Sequence, residues 1–299
     1  MKSLLLLAAI VLGVSGHGHR VHRHPAVRAQ TMHLPFYRIT HRGSRDTSYI
    51  FGTLHLLEGS YVDTLPNVMA ALSRSDLMIG ELALDSGFTM DALSGLFDAP
   101  PLDSLLKPTD YDLVSAAVKK YSPVPLLVLN RAEPVVIYTM LLEGMYAKEH
   151  PENQKTGVPM DLYFQQQAKA HGIRVMGFEE ASDQEQALDS IPLKEQTEDL
   201  VDLVRHPEET ISEMNTMLAD YRAGRITEIL RNPSFGSFSP GEMSTLLYDR
   251  NRKWLNQLQT VLKKQNAFIA VGAGHLAGLH GLVRGLQWLG YTVTWVPAS

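Results

Sequence analysis

The chain has 299 residues, 44% hydrophobic and 20% charged, and its 27 basic and 32 acidic residues give a formal net charge of −5. This composition indicates a globular protein of one large domain or two small ones, and its acidic balance lacks the basic face that nucleic-acid binding requires. Cysteine is absent, which excludes disulfides, catalytic thiols, thiolate zinc sites and iron–sulfur clusters, so any metal must be held by His, Asp, Glu, Asn or water.

The N-terminus has the pattern of an export signal. Lys2 provides a positive charge, residues 4–14 form an apolar run, and Val14-Ser15-Gly16 is a small-residue cleavage pattern. The run is shorter than the ~20 residues that a membrane-spanning helix needs. Residues 1–16 are therefore predicted to be a cleaved signal peptide of a periplasmic or secreted protein, with no transmembrane segment after cleavage. The alternative is an uncleaved N-terminal anchor.

Residues 17–35 are interpreted as a His-rich linker between this signal and the folded part. Histidines alternate with other residues here, and arginines lie among them: His17, His19, His22 and His24 with Arg20 and Arg23. Alternating histidines are also able to recruit a transition metal, so this segment would complicate any metal-binding measurement.

The first elements after the linker alternate strand, helix and strand. Residues 48–51 are a β-prone run ended by Gly52, and residues 77–82 form a second apolar run with Glu81 near its end. Between them, apolar residues fall at i, i+3, i+4 and i+7, the spacing of one helix face: Leu65, Val68, Met69 and Leu72. This alternation favours a parallel sheet.

The middle of the chain is predicted to be mostly helical. Helices are expected over 111–121, over 159–171 with Gly172 as the cap, over 193–231 in several amphipathic pieces, and over 242–265 as one long helix. A strand is expected over 173–178, leading into Glu179.

The last residues repeat the first alternation. Residues 267–271 are predicted to be a strand, 272–275 a turn, 276–289 a helix containing a surface-exposed His280, and 291–296 the closing strand. We therefore predict an α/β fold, a single domain over residues 36–299, in which the strand–helix–strand units at both ends share one mostly parallel sheet and a helical insert separates them.

Two short motifs occur at equivalent points of this fold. Gly52-Thr53-Leu54-His55 and Gly272-Ala273-Gly274-His275 each follow a buried strand, where the carboxyl ends of parallel strands gather ligands and catalytic groups. His55, His275 and the carboxylate of Glu81 are a sufficient ligand set for a catalytic metal with open positions. A single G-x-x-H is common by chance, and the prediction of a shared site depends on the repetition after matched strands.

The sequence argues against other common site motifs. Residues 272–277 match the dinucleotide pattern G-x-G-x-x-A, but no acidic residue follows between His275 and Ser299 to bind a ribose. The chain has no H-E-x-x-H, no G-x-S-x-G and no Walker loop.

The motifs resemble those of the TraB/PrgY/GumN family, in its GumN-like bacterial branch. Beyond both G-x-x-H motifs and Gly80-Glu81-Leu82, the resemblance covers about residues 36–296. It extends through Val158-Pro159-Met160-Asp161, Gly177-Phe178-Glu179, Glu185-Gln186, Arg250-Asn251 and Gly290-Tyr291-Thr292-Val293. Pro159-Met160 departs from the family's usual residue before Asp161. The family is related to the TIKI metalloproteases and to the erythromycin esterase and ChaN-like superfamily, whose fold the resemblance implies.

The resemblance implies a metal-dependent hydrolase, a peptidase, that uses a divalent ion such as Mn²⁺, Co²⁺ or Zn²⁺ on a peptide or other small acyl substrate. His55, Glu81 and His275 would be its metal ligands and catalytic residues. Arg250 matches a family motif position, and its positive charge suits it to clamp an oxyanion or a substrate carboxylate. Asp161 and Glu179 match family motif positions and are further candidates.

Purely structural roles are the alternative for two of these residues. Arg250 is also suited to a structural salt bridge, and Asp161 to capping the helix that begins after Pro159. Two other functions compete with hydrolysis: a non-catalytic extracytoplasmic haem- or metal-binding protein, as in ChaN-like relatives, and an accessory factor in surface polymer assembly.

Overall fold

The structure is a computed structural model that describes residues 33–42, 46–83, 95–151, 158–231 and 239–299. The predicted signal peptide lies outside the described residues, as does the linker up to residue 32. Within the described ranges, none of the helices combines the length and apolarity needed to cross a bilayer.

One six-stranded sheet forms the centre of the protein. Its strands are β1 (Phe36–Thr40), β2 (Ser48–Thr53), β3 (Leu77–Leu82), β4 (Arg174–Glu179), β5 (Ala267–Gly272) and β6 (Thr292–Trp295), in the spatial order β4-β3-β5-β2-β1-β6. The pairs β2–β5, β3–β5 and β3–β4 are parallel, whereas β1 runs antiparallel to both β2 and β6. The predicted α/β class with a mostly parallel sheet is therefore confirmed.

Helices follow the strands and fill the long interval between β3 and β5. They are α1 (Pro66–Ser73), α2 (Leu102–Leu105), α3 (Pro108–Tyr121), α4 (Leu126–Leu129), α5 (Pro134–Glu149), α6 (Met160–Ala170), α7 (Ala181–Asp189), α8 (Leu193–Arg205), α9 (Pro207–Arg222), α10 (Ile226–Arg231), α11 (Pro240–Met243), α12 (Asp249–Val261) and α13 (Leu282–Trp288). α1 and α6 pack on the sheet, and α3, α5 and α8 pack on one another as the predicted helical insert. All six residues of β5 are buried, as expected for a central parallel strand.

The predicted long helix over 242–265 is interrupted and shorter. Ser244–Tyr248 form a π-helical turn between α11 and α12, and α12 ends at Val261. The π turn leaves the carbonyl of Leu246 in contact with the Arg250 side chain, which donates to it from Nη1 over 3.1 Å. Apolar periodicity carries no signal for such a turn, which is frequent at functional sites.

The predicted final helix over 276–289 also begins later. Ala273–Leu276 form a 3-10 turn, Gly278 has a φ of +76° that a helix does not accommodate, and α13 starts only at Leu282. His280 is exposed, as predicted, but it lies in the turn before the helix rather than inside it.

Candidate active site

The sheet brings both G-x-x-H motifs to one edge. β2 and β5 are neighbouring parallel strands, and Thr53 pairs with Gly272 at the carboxyl end of the ladder. His55 lies two residues beyond the end of β2, and His275 lies in the 3-10 turn that directly follows β5. The repeated motif therefore places two histidines side by side at the edge where ligands collect in α/β proteins.

Glu81, on the neighbouring strand β3, contacts the end of β5 and the turn that follows it. The β3–β5 ladder ends at Ile79 and Ile269, beyond which the amide of Gly272 donates to Glu81 Oε1 over 2.8 Å. Glu81 Oε1 also lies 3.8 Å from His275 Nε2. Burial alone would raise the pKa of Glu81, but His275, Arg250, His55 and the Gly272 amide together lower this pKa to about 2. The carboxylate is thus ionised at neutral pH.

Arg250 joins Glu81 to Glu179 across the cluster. Its Nη2 donates to Glu81 Oε2 and to Glu179 Oε2, both over 2.8 Å, and its Nε donates to Glu179 Oε1 over 2.8 Å. Trp254 Nε1 donates to the same Glu179 oxygen over 2.9 Å. Burial raises the pKa of Glu179, and Arg250 offsets part of that rise. Burial lowers the pKa of Arg250, but the two carboxylates outweigh it and the pKa is raised. This arrangement is a buried ion triad.

Asp161 forms an ion pair with His55 at Nδ1 of the ring. The carboxylate lies in the first turn of α6, where Asp161 Oδ1 accepts from Thr53 Oγ1 over 2.8 Å and Oδ2 lies 3.0 Å from His55 Nδ1. Burial lowers the pKa of His55, but Asp161, Glu81 and Glu143 raise it, and the balance is a raised pKa. Because Nδ1 faces Asp161, Nε2 is the nitrogen that His55 presents to the cluster.

Asn251 holds His275 in the corresponding way. Its Nδ2 donates to the backbone carbonyls of His275 and His280 over 3.1 and 2.9 Å, so Oδ1 is the amide atom that faces His275 Nδ1, 2.7 Å away. Nδ1 therefore carries the proton, and the unprotonated Nε2 faces Glu81 and Arg250. Burial, opposed by Glu81 and aided by Arg250 and His55, lowers the pKa of His275 to about 3.

The three predicted metal ligands surround Gly272. A Cβ built on this residue would lie 3.2 Å from Glu81 Oε1, 3.7 Å from His55 Nε2 and 3.8 Å from His275 Cδ2. Two histidine rings and one carboxylate oxygen thus line a common space, and imidazole and carboxylate are donor groups suited to a cation. Among the described residues, no three His, Cys, Asp or Glu side chains form a ready-made metal site, so an ion would require the cluster to adjust.

The cluster includes every residue that the sequence analysis selected and three that it gave no role. Asn251 was noted only as part of a motif, and Trp254, whose ring centroid lies 4.3 Å from that of His275, was not noted. The third is Glu143 on α5, whose pKa burial raises to about 7 although His55 lowers it. A single acidic residue within the apolar run 134–146 was the signal that would have identified it.

A model of the TraB/PrgY/gumN family matches residues 35–295, which include every cluster residue described above. No curated protein and no solved structure matches the chain significantly.

Proposed function

The chain belongs to the TraB/PrgY/gumN family, and we propose that its buried cluster is the active centre of a metal-dependent hydrolase acting on a peptide or other small acyl substrate. One observation carries the proposal: His55 and His275 come from two different strand ends and face the space beside Gly272 together with Glu81, while a second side chain lies within 3.0 Å of Nδ1 of each ring. Holding the far nitrogen of a ligating histidine is the arrangement that metal sites use to fix its tautomer and orientation.

His55, His275 and Glu81 would hold the ion. A divalent cation such as Mn²⁺, Co²⁺ or Zn²⁺, when bound, would polarise a scissile carbonyl and lower the pKa of a bound water. Asp161 would make the His55 imidazole a stronger donor, and Asn251 would keep His275 neutral and oriented, each acting from behind its histidine.

Arg250 is better suited to holding the carboxylates than to clamping a substrate. Its five N–H groups are directed at protein acceptors: the two glutamates, the carbonyl of Leu246 and, over 3.4 Å, His275 Nε2. No donor is left over for an oxyanion in this arrangement. We therefore assign Arg250 the role of fixing the Glu81 carboxylate in its ionised, oriented form.

A substrate would approach from the side of His55 and Glu81. Their side chains are 12% and 14% exposed, whereas those of His275, Arg250 and Glu179 are 5%, 6% and 4% exposed. His275, Arg250 and Glu179 would position the other side chains. His55 and Glu81, which are nearer to solvent, would meet the scissile bond. Because residues 1–16 have the pattern of an export signal, we propose that the substrate is periplasmic or extracellular.

The proposal is tested by calorimetric titration of Mn²⁺, Co²⁺ and Zn²⁺ into the chain from Pro25 onward, which lacks the His-rich segment. The decisive comparison is with the His55→Ala/His275→Ala double variant. The matched control is His171→Ala/His206→Ala, since both residues are outside the cluster and His206 is half exposed. One site in the parent and in the control, absent from the His55/His275 variant, would support the proposal and lead to a screen of fluorogenic peptides.

Equal binding by the parent and the His55/His275 variant, or no binding by either, would overturn the shared metal site. Haem would then be added, because a Soret band that depends on either histidine would support the non-catalytic binding protein instead. An exported chain with neither metal, haem nor peptidase activity would favour the accessory role in surface polymer assembly.

A further inference from the structure

An exposed apolar turn of the helical insert, residues 122–129, is called the tip here. Leu127 and Val128, in the short helix α4, are 90% and 62% exposed, whereas the next residue, Leu129, is 1% exposed. Few large apolar side chains in the described residues are as exposed as Leu127. Single exposed apolar residues need no explanation, but two in succession at a helical turn expose a contiguous apolar surface.

The backbone holds this tip rigidly from both sides. Before α4, Ser122 Oγ donates to the carbonyl of Val124 and accepts from the Val124 amide, at 2.9 and 3.0 Å. After α4, the carbonyls of Asn130 and Arg131 accept from the amides of Leu102 and Ala99, at 2.8 and 3.0 Å. Leu127 and Val128 are therefore displayed by a fixed turn, so presenting them to a partner costs little ordering entropy.

Positive charge lies at the base of the tip. Lys119 and Lys120 are in the last turn of α3, which four residues separate from α4. Lys148 reaches from α5 over the Tyr121 ring that Lys120 also covers, at 5.4 and 4.6 Å. None of the three lysines forms a salt bridge with a carboxylate in the described part of the chain. Arg131, on the other side, is paired with Asp98 and adds no net charge.

We propose that this tip, residues 122–129 with Lys119, Lys120 and Lys148, docks the protein on the surface of a bilayer that contains anionic lipids. Two exposed side chains on one turn are too small a surface for a stable protein–protein interface, which buries roughly 1,200–2,000 Å². A few apolar side chains beside a basic cluster suffice for reversible attachment to a membrane surface, where the chains enter the interface and the lysines meet the headgroups. This inference is independent of the proposed hydrolase.

The test is co-sedimentation of the chain from His17 onward with sucrose-loaded vesicles, of phosphatidylcholine alone or mixed with phosphatidylglycerol. Leu127→Glu/Val128→Glu is the decisive variant, and both positions are exposed enough to keep the fold, which circular dichroism checks. We expect its partition onto the mixed vesicles to fall about tenfold relative to the parent. Lys119→Glu/Lys120→Glu is expected to remove the preference for phosphatidylglycerol, and added salt to weaken binding.

Leu279→Glu is the matched control, because Leu279 is 69% exposed and lies elsewhere on the surface. Its partition should equal that of the parent, and the basic N-terminal segment is common to all variants. Parent-like binding by the Leu127/Val128 variant, or an equal loss in the control, would overturn the proposal. A parent that sediments as a dimer in solution, with a monomeric Leu127/Val128 variant, would also overturn it and assign the tip to a second copy of the chain.

Discussion

Asn251 Oδ1 lies 2.7 Å from His275 Nδ1, and this contact fixes which nitrogen of the imidazole carries a proton. The amide cannot turn over, because its Nδ2 already donates to the carbonyls of His275 and His280. The loop that carries His275 and the tautomer of its ring are therefore set by one side chain from α12. Asn251 acts through His275 and is a positioning residue.

Replacement of Asn251 by Ala is expected to release this tautomer. Long-range ¹H–¹⁵N spectra of His275 should change from a protonated Nδ1 to a mixture of tautomers, and the affinity for the metal that the parent binds should fall by about 10- to 100-fold. Asn67→Ala is the matched control, because Asn67 also donates to a backbone carbonyl, that of Pro297. An unchanged ¹⁵N pattern for His275 in the Asn251 variant would contradict the assignment.

Replacement of Arg250 by Ala should be among the most destabilising changes in the cluster. It would leave Glu81 and Glu179 buried without their counter-ion, which typically costs about 3–5 kcal/mol in the free energy of unfolding. Arg250→Lys keeps the charge but loses the forked contact, so it should be intermediate. Urea denaturation measures both, with Arg131→Ala in the exposed pair with Asp98 expected to cost less than about 1 kcal/mol. Equal losses at Arg250 and Arg131 would contradict the triad.

Much of the fold could be predicted from local pattern. β3 was predicted with its observed bounds, and β2, β4 and β5 to within about two residues, because buried parallel strands are continuous apolar runs ended by glycine or a charged residue. β1 was not predicted, and the two C-terminal helices were predicted too long. The π turn at residues 244–248 and the positive φ of Gly278 depend on tertiary contacts and backbone conformation that periodicity does not report.

The cluster was predicted less completely. The repeated G-x-x-H identified His55 and His275, since a repeat after matched strands is visible in one sequence. The partners behind them were harder, because Asp161 and Asn251 come from helices about 106 and 24 residues away from the histidines that they hold. Such pairings are set by helix packing on the sheet, which one sequence does not encode in a readable pattern.

The neutral state of His275 predicts an acid-sensitive contribution to stability. Its pKa is lowered to about 3 in the folded protein against 6.5 for the ordinary group, so the unfolded chain binds more protons between these values. Stability from this residue is present above pH 6.5 and is lost as the pH falls towards 3. In EDTA, the free energy of unfolding of the parent minus that of His275→Gln should decrease by roughly 2 kcal/mol between pH 6.5 and pH 5, as measured by urea denaturation. A gap that does not change with pH would contradict this.

Glu143 should show the opposite dependence on pH. Its pKa is raised to about 7 in the folded protein from 4.5, so its contribution to stability is complete below pH 4.5 and is lost as the pH rises through 7. Glu143→Gln has no carboxyl group to ionise and avoids this loss. The free energy of unfolding of the variant minus that of the parent should therefore be larger at pH 9 than at pH 4.5 by roughly 2–3 kcal/mol. Glu149→Gln, at the exposed end of the same helix, is the control, expected to change by less than about 0.5 kcal/mol at either pH.

Gly272→Ala separates the geometry of the cluster from the stability of the fold. Gly272 has a φ of −50°, which alanine adopts without strain, but the new Cβ would lie 3.2 Å from Glu81 Oε1, in the space that His55 and His275 also face. We expect a folded protein whose metal affinity falls at least about tenfold. Gly290→Ala is the control with the opposite properties. A φ of +88° makes alanine strained at this position, whereas nothing lies within 4 Å of its Cβ. That variant should lose about 1–2 kcal/mol of stability and bind metal like the parent. Parent-like metal binding by Gly272→Ala would mean that the space around Gly272 is not where the ion is held.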